Sequence, residues 1–187
     1  MLDSLLNLDS NLFVLLNSLG SPKYDFFWMV ITNKMTNISV YLMLSIFFLK
    51  KNNIRDFIRL IFLLGLLILI TDQMTNFFKY FISRPRPCHD QNLIELIRLV
   101  KSSCGGQYGF FSGHASNSFA LAIFFSNLLF IHSKKISFFL VSFASLVAYS
   151  RIYIGVHYPL DIVFGALFGS INGYIFFYLW KKYTFST

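Results

Sequence analysis

The chain has 187 residues, of which 56% are hydrophobic, 24 are phenylalanine and only 13% are charged; soluble domains carry roughly 45–50% apolar and about 25% charged residues. That balance excludes an ordinary soluble domain, and the clustering of apolar residues into runs points to one membrane-embedded domain over 1–187. The formal net charge of +8 is no nucleic-acid signature, because the basic residues flank apolar runs or fall in short motifs and form no basic stripe with interleaved aromatics.

Residues 2–19 repeat Leu2, Leu5, Leu6, Leu12, Phe13, Leu16 and Leu19 at a helical period, with Asp3, Asn7, Ser10, Asn11 and Asn17 on the other face. An amphipathic helix lying in the membrane interface is expected. Met1-Leu2-Asp3 lacks a positive leader region, so no cleavable signal peptide is expected. Gly20-Ser21-Pro22 ends the helix, and the aromatic stretch from Tyr24 to Thr32 places Trp28 as an interface anchor. A helix runs from about Met35 to Leu49; whether 24–49 is one tilted helix or two pieces stays open. Lys50, Lys51, Arg55 and Arg59 mark the next connection, and an apolar helix from Leu60 continues through Phe81. Runs at 115–131 and 136–149 flank His132-Ser133-Lys134-Lys135, with His132 read as part of a solvated helix end. A last run, 160–180, ends at Lys181-Lys182. The fold expected is all-α, a polytopic integral membrane bundle of about five to six spans behind an N-terminal amphipathic helix.

Placing the basic clusters at 50–59, 134–135 and 181–182 in the cytoplasm obeys the positive-inside rule. The loop 82–112 and the stretch 150–159 then share the opposite face of the membrane. Within the loop, Leu93 to Val100 reads as a short amphipathic surface helix. Cys88 and Cys104 share that loop, and a disulfide or two free thiols are both open.

Three clusters carry chemistry on that shared face. Lys79-Tyr80-Phe81-Ile82-Ser83-Arg84-Pro85-Arg86-Pro87 supplies a lysine and an arginine seven apart. Phe111-Ser112-Gly113-His114 opens a helix. Ser150-Arg151 leads to His157 and Asp161, which lie four apart and so on one face of a helical backbone, with Pro159 suited to the first turn. Cations, a hydroxyl and a glycine N–H near a helix start neutralise phosphoryl oxygens, and two histidines can divide nucleophilic and acid–base work. Asp72, about 10 Å from Lys79 along the same helix, reads as a supporting carboxylate. Arg84 and His89 read as loop or headgroup contacts. Gly165, Ala166, Gly169, Ser170 and Gly173 make a small-residue stripe, read first as close packing within the bundle and second as a dimer face.

Lys79-x6-Arg86-Pro87, Ser112-Gly113-His114 and Ser150-Arg151-x5-His157-x3-Asp161, in this order and spacing, resemble the three signature motifs of the type 2 phosphatidic acid phosphatase superfamily. The motifs cover 79–161, and the helical pattern extends the likeness to most of the chain. One position departs: Phe111 stands where the family usually has proline. The resemblance implies that His157 is the nucleophile forming a phosphohistidine, that Asp161 orients it, and that His114 is the general acid and then the base for water. It implies that Lys79, Arg86, Ser112, Gly113 and Arg151 hold the phosphoryl oxygens, with Ser150 adjacent, and that no metal or other cofactor takes part. His114, His157 and Asp161 could in principle ligate zinc, but three basic residues around them oppose a dication.

The expected function is therefore a metal-independent lipid phosphatase of the bacterial inner membrane with its site facing the periplasm. Its partners are a lipid phosphate and the bilayer, and no nucleic acid. Undecaprenyl diphosphate is the substrate expected; lipid A, phosphatidylglycerophosphate and phosphatidate are the alternatives. A non-catalytic lipid-binding or transport protein, and a phosphotransferase passing the phosphoryl group to another acceptor, are rivals of other classes.

Overall fold

The structure is a computed structural model and describes residues 2–129 and 134–184. Seven α-helices follow one another among them: α1 (Leu2–Ser18), α2 (Asp25–Thr32), α3 (Lys34–Lys51), α4 (Ile54–Ile82), α5 (Gly113–Leu129), α6 (Lys134–Tyr153) and α7 (Pro159–Thr184), with no β-strand among the described residues. His132, and the ends of the runs that meet around it, lie outside the described residues.

Local chemistry sets the boundaries. Asn33 ends α2 and caps α3, its side chain accepting the Met35 N–H at 2.8 Å, so 24–49 is two helices. Asn53 caps α4 through the Asp56 N–H at 2.8 Å. Gly155, at φ +85°, lets the chain turn out of α6, and a Cβ there would lie 2.7 Å from the Arg98 carbonyl oxygen. Pro159 then starts α7.

Helix α5 lies at the centre, against α7, α6 and α4. The small-residue stripe makes the α5–α7 approach possible: Cβ atoms on Gly165, Gly169 and Gly173 would fall 2.7, 2.1 and 2.3 Å from the carbonyl oxygens of Ser112, Ser116 and Ala120. Packing within the bundle, the first reading of that stripe, is what these contacts show. Leu60, Leu67, Phe124, Phe125 and Leu140 fill the core around it. The outward faces are apolar: Leu8, Met43, Phe62, Phe138 and Leu167 are all exposed. Among the described residues, two helices, Lys134–Tyr153 and Pro159–Tyr183, are long and apolar enough to cross a membrane, fewer than the five or six spans expected. Helix α5 has 17 residues, short of the about 20 that a full span takes.

Two expectations need correction. Helix α1 is amphipathic, but its buried line is Asp9, Phe13 and Asn17, while Leu5, Leu8, Leu12, Leu15 and Leu19 face outward. In lipid the apolar face is the outer one, so polar side chains turn inward and bond: Asn17 donates to the Arg98, Ile152 and Tyr153 carbonyls and accepts the Arg98 N–H at 2.7 Å. Leu93 to Val100 is no helix; it forms turns as far as Leu96 and then an irregular segment. Tertiary bonds claim its backbone, Arg98 by Asn17 and Val100 by the Ile154 carbonyl, and Leu93 buries against Phe13. Cys88 and Cys104 are joined as a disulfide that closes this loop. Trp28, expected as an interface anchor, is half-buried and stacks on Tyr153 with ring centroids 5.1 Å apart, so packing holds it.

Candidate active site

The last turns of α4 and α6, the first turns of α5 and α7 and the loop 83–112 meet at one end of the bundle. Backbone bonds fasten them: the Ser112 N–H donates to the Asp161 carbonyl at 3.0 Å, and the Val156 N–H to the Arg151 carbonyl at 3.1 Å. Asp161 sits in the first turn of α7, where a carboxylate suits the helix dipole. It is wholly buried, and His157 is 2% exposed. The His157 Nδ1 lies 3.1 Å from Asp161 Oδ2. Because a carboxylate only accepts, Nδ1 carries the proton and Nε2 keeps its lone pair. The Tyr158 N–H donates to the same Oδ2 at 3.1 Å. Burial, and then the charges of Arg151, Arg86 and Lys79, hold the His157 imidazole well below its ordinary pKa. The ring therefore stays neutral at neutral pH, as a nucleophile requires.

The cations arrive from three directions. Arg151, 5% exposed, donates from one terminal nitrogen to the Thr32 hydroxyl at 2.6 Å and leaves its Nε without a protein partner. Arg86 is held by the carbonyls of Tyr108 (3.2 Å, from Nε) and Cys104 (3.0 Å), so the disulfide loop aims it. Lys79 lies beside the start of α5, its Nζ 3.9 Å from where a Cβ of Gly113 would be. Arg151 and His157 lie within electrostatic reach of His114, on the first turn of α5. All eight residues read from the motifs belong to this one end of the bundle. Ser112 is an exception in its contact: its hydroxyl is buried and accepts the Ala115 N–H at 3.5 Å, as a cap for α5. Phe111 is buried between Phe78 and Phe168, with centroids 5.4 and 5.0 Å away. Aromatic packing thus fixes the turn where the motif usually has proline.

Three residues of the site were not singled out by the motifs. Gly109 presses against the centre: a Cβ would stand 3.0 Å from Asp161 Oδ2, 3.2 Å from Arg86 Cγ and 3.6 Å from His157 Nδ1. Thr32 orients Arg151 from another helix. Arg84 forms an ion pair with Asp161 Oδ1 at 3.4 Å, so it is more than a loop or headgroup contact. Asp72, by contrast, is the supporting carboxylate expected: it accepts from Asn117 at 2.7 Å and stands near Lys79 across Gly113. A zinc set of His114, His157 and Asp161 fits poorly, since both Asp161 oxygens are engaged, one by His157 and the Tyr158 N–H, the other by Arg84.

The chain is similar to known proteins over almost its whole length. The chain is 33% identical over 186 residues to a lipid A 4'-phosphatase of Bacteroides thetaiotaomicron, covering 98% of this chain and 82% of that one. It is 34% identical to a lipid A 4'-phosphatase of Porphyromonas gingivalis, over 99% of this chain and 77% of that one. The fold is that of the crystal structure of a transmembrane PAP2-type phosphatidylglycerolphosphate phosphatase from Bacillus subtilis, with a TM-score of 0.74 at 19% identity, covering 98% and 87% of the two chains. The profile of the PAP2 superfamily matches residues 58–185, which hold all three motifs, and the chain belongs to that superfamily.

Proposed function

We propose that this lipid phosphatase removes the 4'-phosphate of lipid A, acting without a metal through a phosphohistidine on His157. The observation that carries the chemistry is the buried His157–Asp161 couple facing Arg86, Arg151 and Lys79. A phosphate monoester dianion suits three cations. Nε2 of His157 attacks phosphorus in line with the departing sugar oxygen. Burial and then the charge of Arg151 hold His114 neutral before substrate binds. The negative charge of the bound phosphate draws onto it the proton that it gives to that oxygen and later takes back from the water that attacks the phosphohistidine. Arg86, Lys79, Arg151 and the N–H groups opening α5 stabilise the equatorial oxygens, and the unpartnered Arg151 Nε is a donor already in place. Two relatives matched over nearly the whole chain support lipid A ahead of undecaprenyl diphosphate as the substrate.

The protein is read as a multi-pass protein of the bacterial inner membrane with its site on the periplasmic face. Helix α4, 29 residues and so about 43 Å long, joins α6 and α7 as a span, and the disulfide on the site loop suits an oxidising compartment. The acyl chains stay in the bilayer while the sugar phosphate reaches the cations.

The test is phosphate release by detergent-purified protein in EDTA, comparing lipid A with undecaprenyl diphosphate. Preferential release from lipid A is expected. Preferential release from undecaprenyl diphosphate overturns the substrate reading, and loss of turnover in EDTA overturns the metal-free route.

A further inference from the structure

Asp161 has two oxygens, and His157 uses one. The other, Oδ1, is buried and faces Arg84 at 3.4 Å. Arg84 belongs to the loop after α4 and is 15% exposed in its side chain. Its second terminal nitrogen lies 2.7 Å from Asp9 Oδ2 on α1, and its carbon centre lies 3.8 Å over the ring of Tyr158. Asp9 is 4% exposed, and its other oxygen accepts the Leu160 N–H in the first turn of α7 at 2.9 Å. One guanidinium is thus shared by two buried carboxylates, hydrogen-bonded to Asp161 and ion-paired with Asp9, and sits over an aromatic ring.

This arrangement has a chemical consequence. An uncompensated buried carboxylate oxygen is costly and tends to take a proton. A protonated Asp161 would lose its hold on the His157 N–H. A planar fork can hold two carboxylates at once in fixed directions, which an ammonium cannot. Asp9 in turn keeps the guanidinium from swinging toward the phosphoryl site.

We propose that Asp9 and Arg84 are a positioning pair for the His157–Asp161 couple: Asp9 fixes Arg84, and Arg84 keeps the Asp161 carboxylate ionised with Oδ2 turned to His157. The first helix is then part of the catalytic apparatus as well as a membrane contact. The inference rests on the reading of His157 as the nucleophile.

A cleft of about 220 Å³ makes the test possible, since Arg84 lines it together with Asn7, Ser10, Asp90 and Tyr158. A guanidinium ion is small enough to enter it. Arg84→Ala is expected to lower kcat on lipid A by at least about 10-fold with KM little changed, because misplacing a reacting group costs on this scale. Millimolar guanidinium restores kcat in that variant, and methylammonium at the same concentration does not. Asp9→Asn, which can still accept the Leu160 N–H, lowers kcat less, and adding it to Arg84→Ala brings no further loss. Size-exclusion profiles and unfolding temperatures accompany each variant. Should Arg84→Ala fail to fold, Arg84→Lys decides: lowered kcat at unchanged KM supports the pair, and wild-type kcat overturns it. A raised KM with kcat kept, a loss that guanidinium does not restore, or independent losses in the double variant each overturn it. Failure of the wild-type chain to release phosphate from any lipid phosphate would instead overturn the function on which it rests.

Discussion

Gly109→Ala is the sharpest perturbation of the site, because it adds one methyl group and removes nothing. The new Cβ would stand 3.0 Å from Asp161 Oδ2, 3.2 Å from Arg86 Cγ and 3.6 Å from His157 Nδ1. Carbon contacts are comfortable from about 3.5 Å, so the first two neighbours must each give by several tenths of an ångström. Neither moves freely. Asp161 is held by His157, the Tyr158 N–H and Arg84, and the Arg86 guanidinium by the Tyr108 and Cys104 carbonyls. The strain therefore passes into the angle between nucleophile and phosphorus. A displacement of this order costs about 10- to 100-fold in kcat, or about 1.4–2.7 kcal/mol of barrier. Overpacking adds roughly 1–3 kcal/mol of destabilisation. The assay is kcat and KM on lipid A in detergent micelles, with the unfolding temperature measured alongside. Gly109→Ala within twofold of wild-type kcat would refute the placement of Gly109 against the catalytic couple.

Gly169→Ala tests the α5–α7 approach: its Cβ would fall 2.1 Å from the Ser116 carbonyl oxygen, so the helices must part, and a clearly lowered unfolding temperature or loss of the monodisperse species is expected. His114→Ala is expected to lower lipid A hydrolysis by at least about 10²-fold, and far less with a p-nitrophenyl phosphate, whose leaving group needs no proton; equal losses on both would argue against the general acid. His157 gives a pH prediction with a definite sign. Its folded pKa is depressed, so the ring stays neutral as pH falls through about 6.5, the unfolded value. The folded state then binds fewer protons than the unfolded one, and this group's contribution to stability is lost as pH falls further. Nitrogen-15 histidine spectra should show His157 uncharged at mildly acidic pH, and a midpoint near 6.5 would contradict this.

The chemical core of the site was legible in the sequence because its residues sit in short, ordered motifs whose spacing matches helix ends. His157 and Asp161 four apart, with Pro159 between them, state their own geometry. Helix periods gave α4, α6 and α7, and the stripe of Gly165, Gly169 and Gly173 announced a close approach. What stayed hidden depends on distant parts of the chain. Nothing local marks Asp9 as the partner of Arg84, 75 residues away, or Thr32 as the partner of Arg151. Gly109 looks like any loop glycine until Arg86 and Asp161 close on it. The Leu93 to Val100 segment has a helical pattern, but Asn17 and Ile154 compete for its backbone and win. The helical period of α1 sets Phe13 beside the leucines and Asn17 opposite them, whereas Phe13 and Asn17 share the buried line, because Asn17 finds its partners on the distant Arg98, Ile152 and Tyr153.

The most direct test of the central claim is to trap the covalent intermediate. Lipid A carrying a radiolabelled 4'-phosphate would be mixed with the protein in EDTA, quenched rapidly in alkali, and the labelled peptide identified. The expected result is an acid-labile, alkali-stable phosphoryl group on His157, absent from His157→Ala, which also fails to turn over. Continued turnover by His157→Ala, with no label on the wild-type histidine, would contradict the phosphohistidine route.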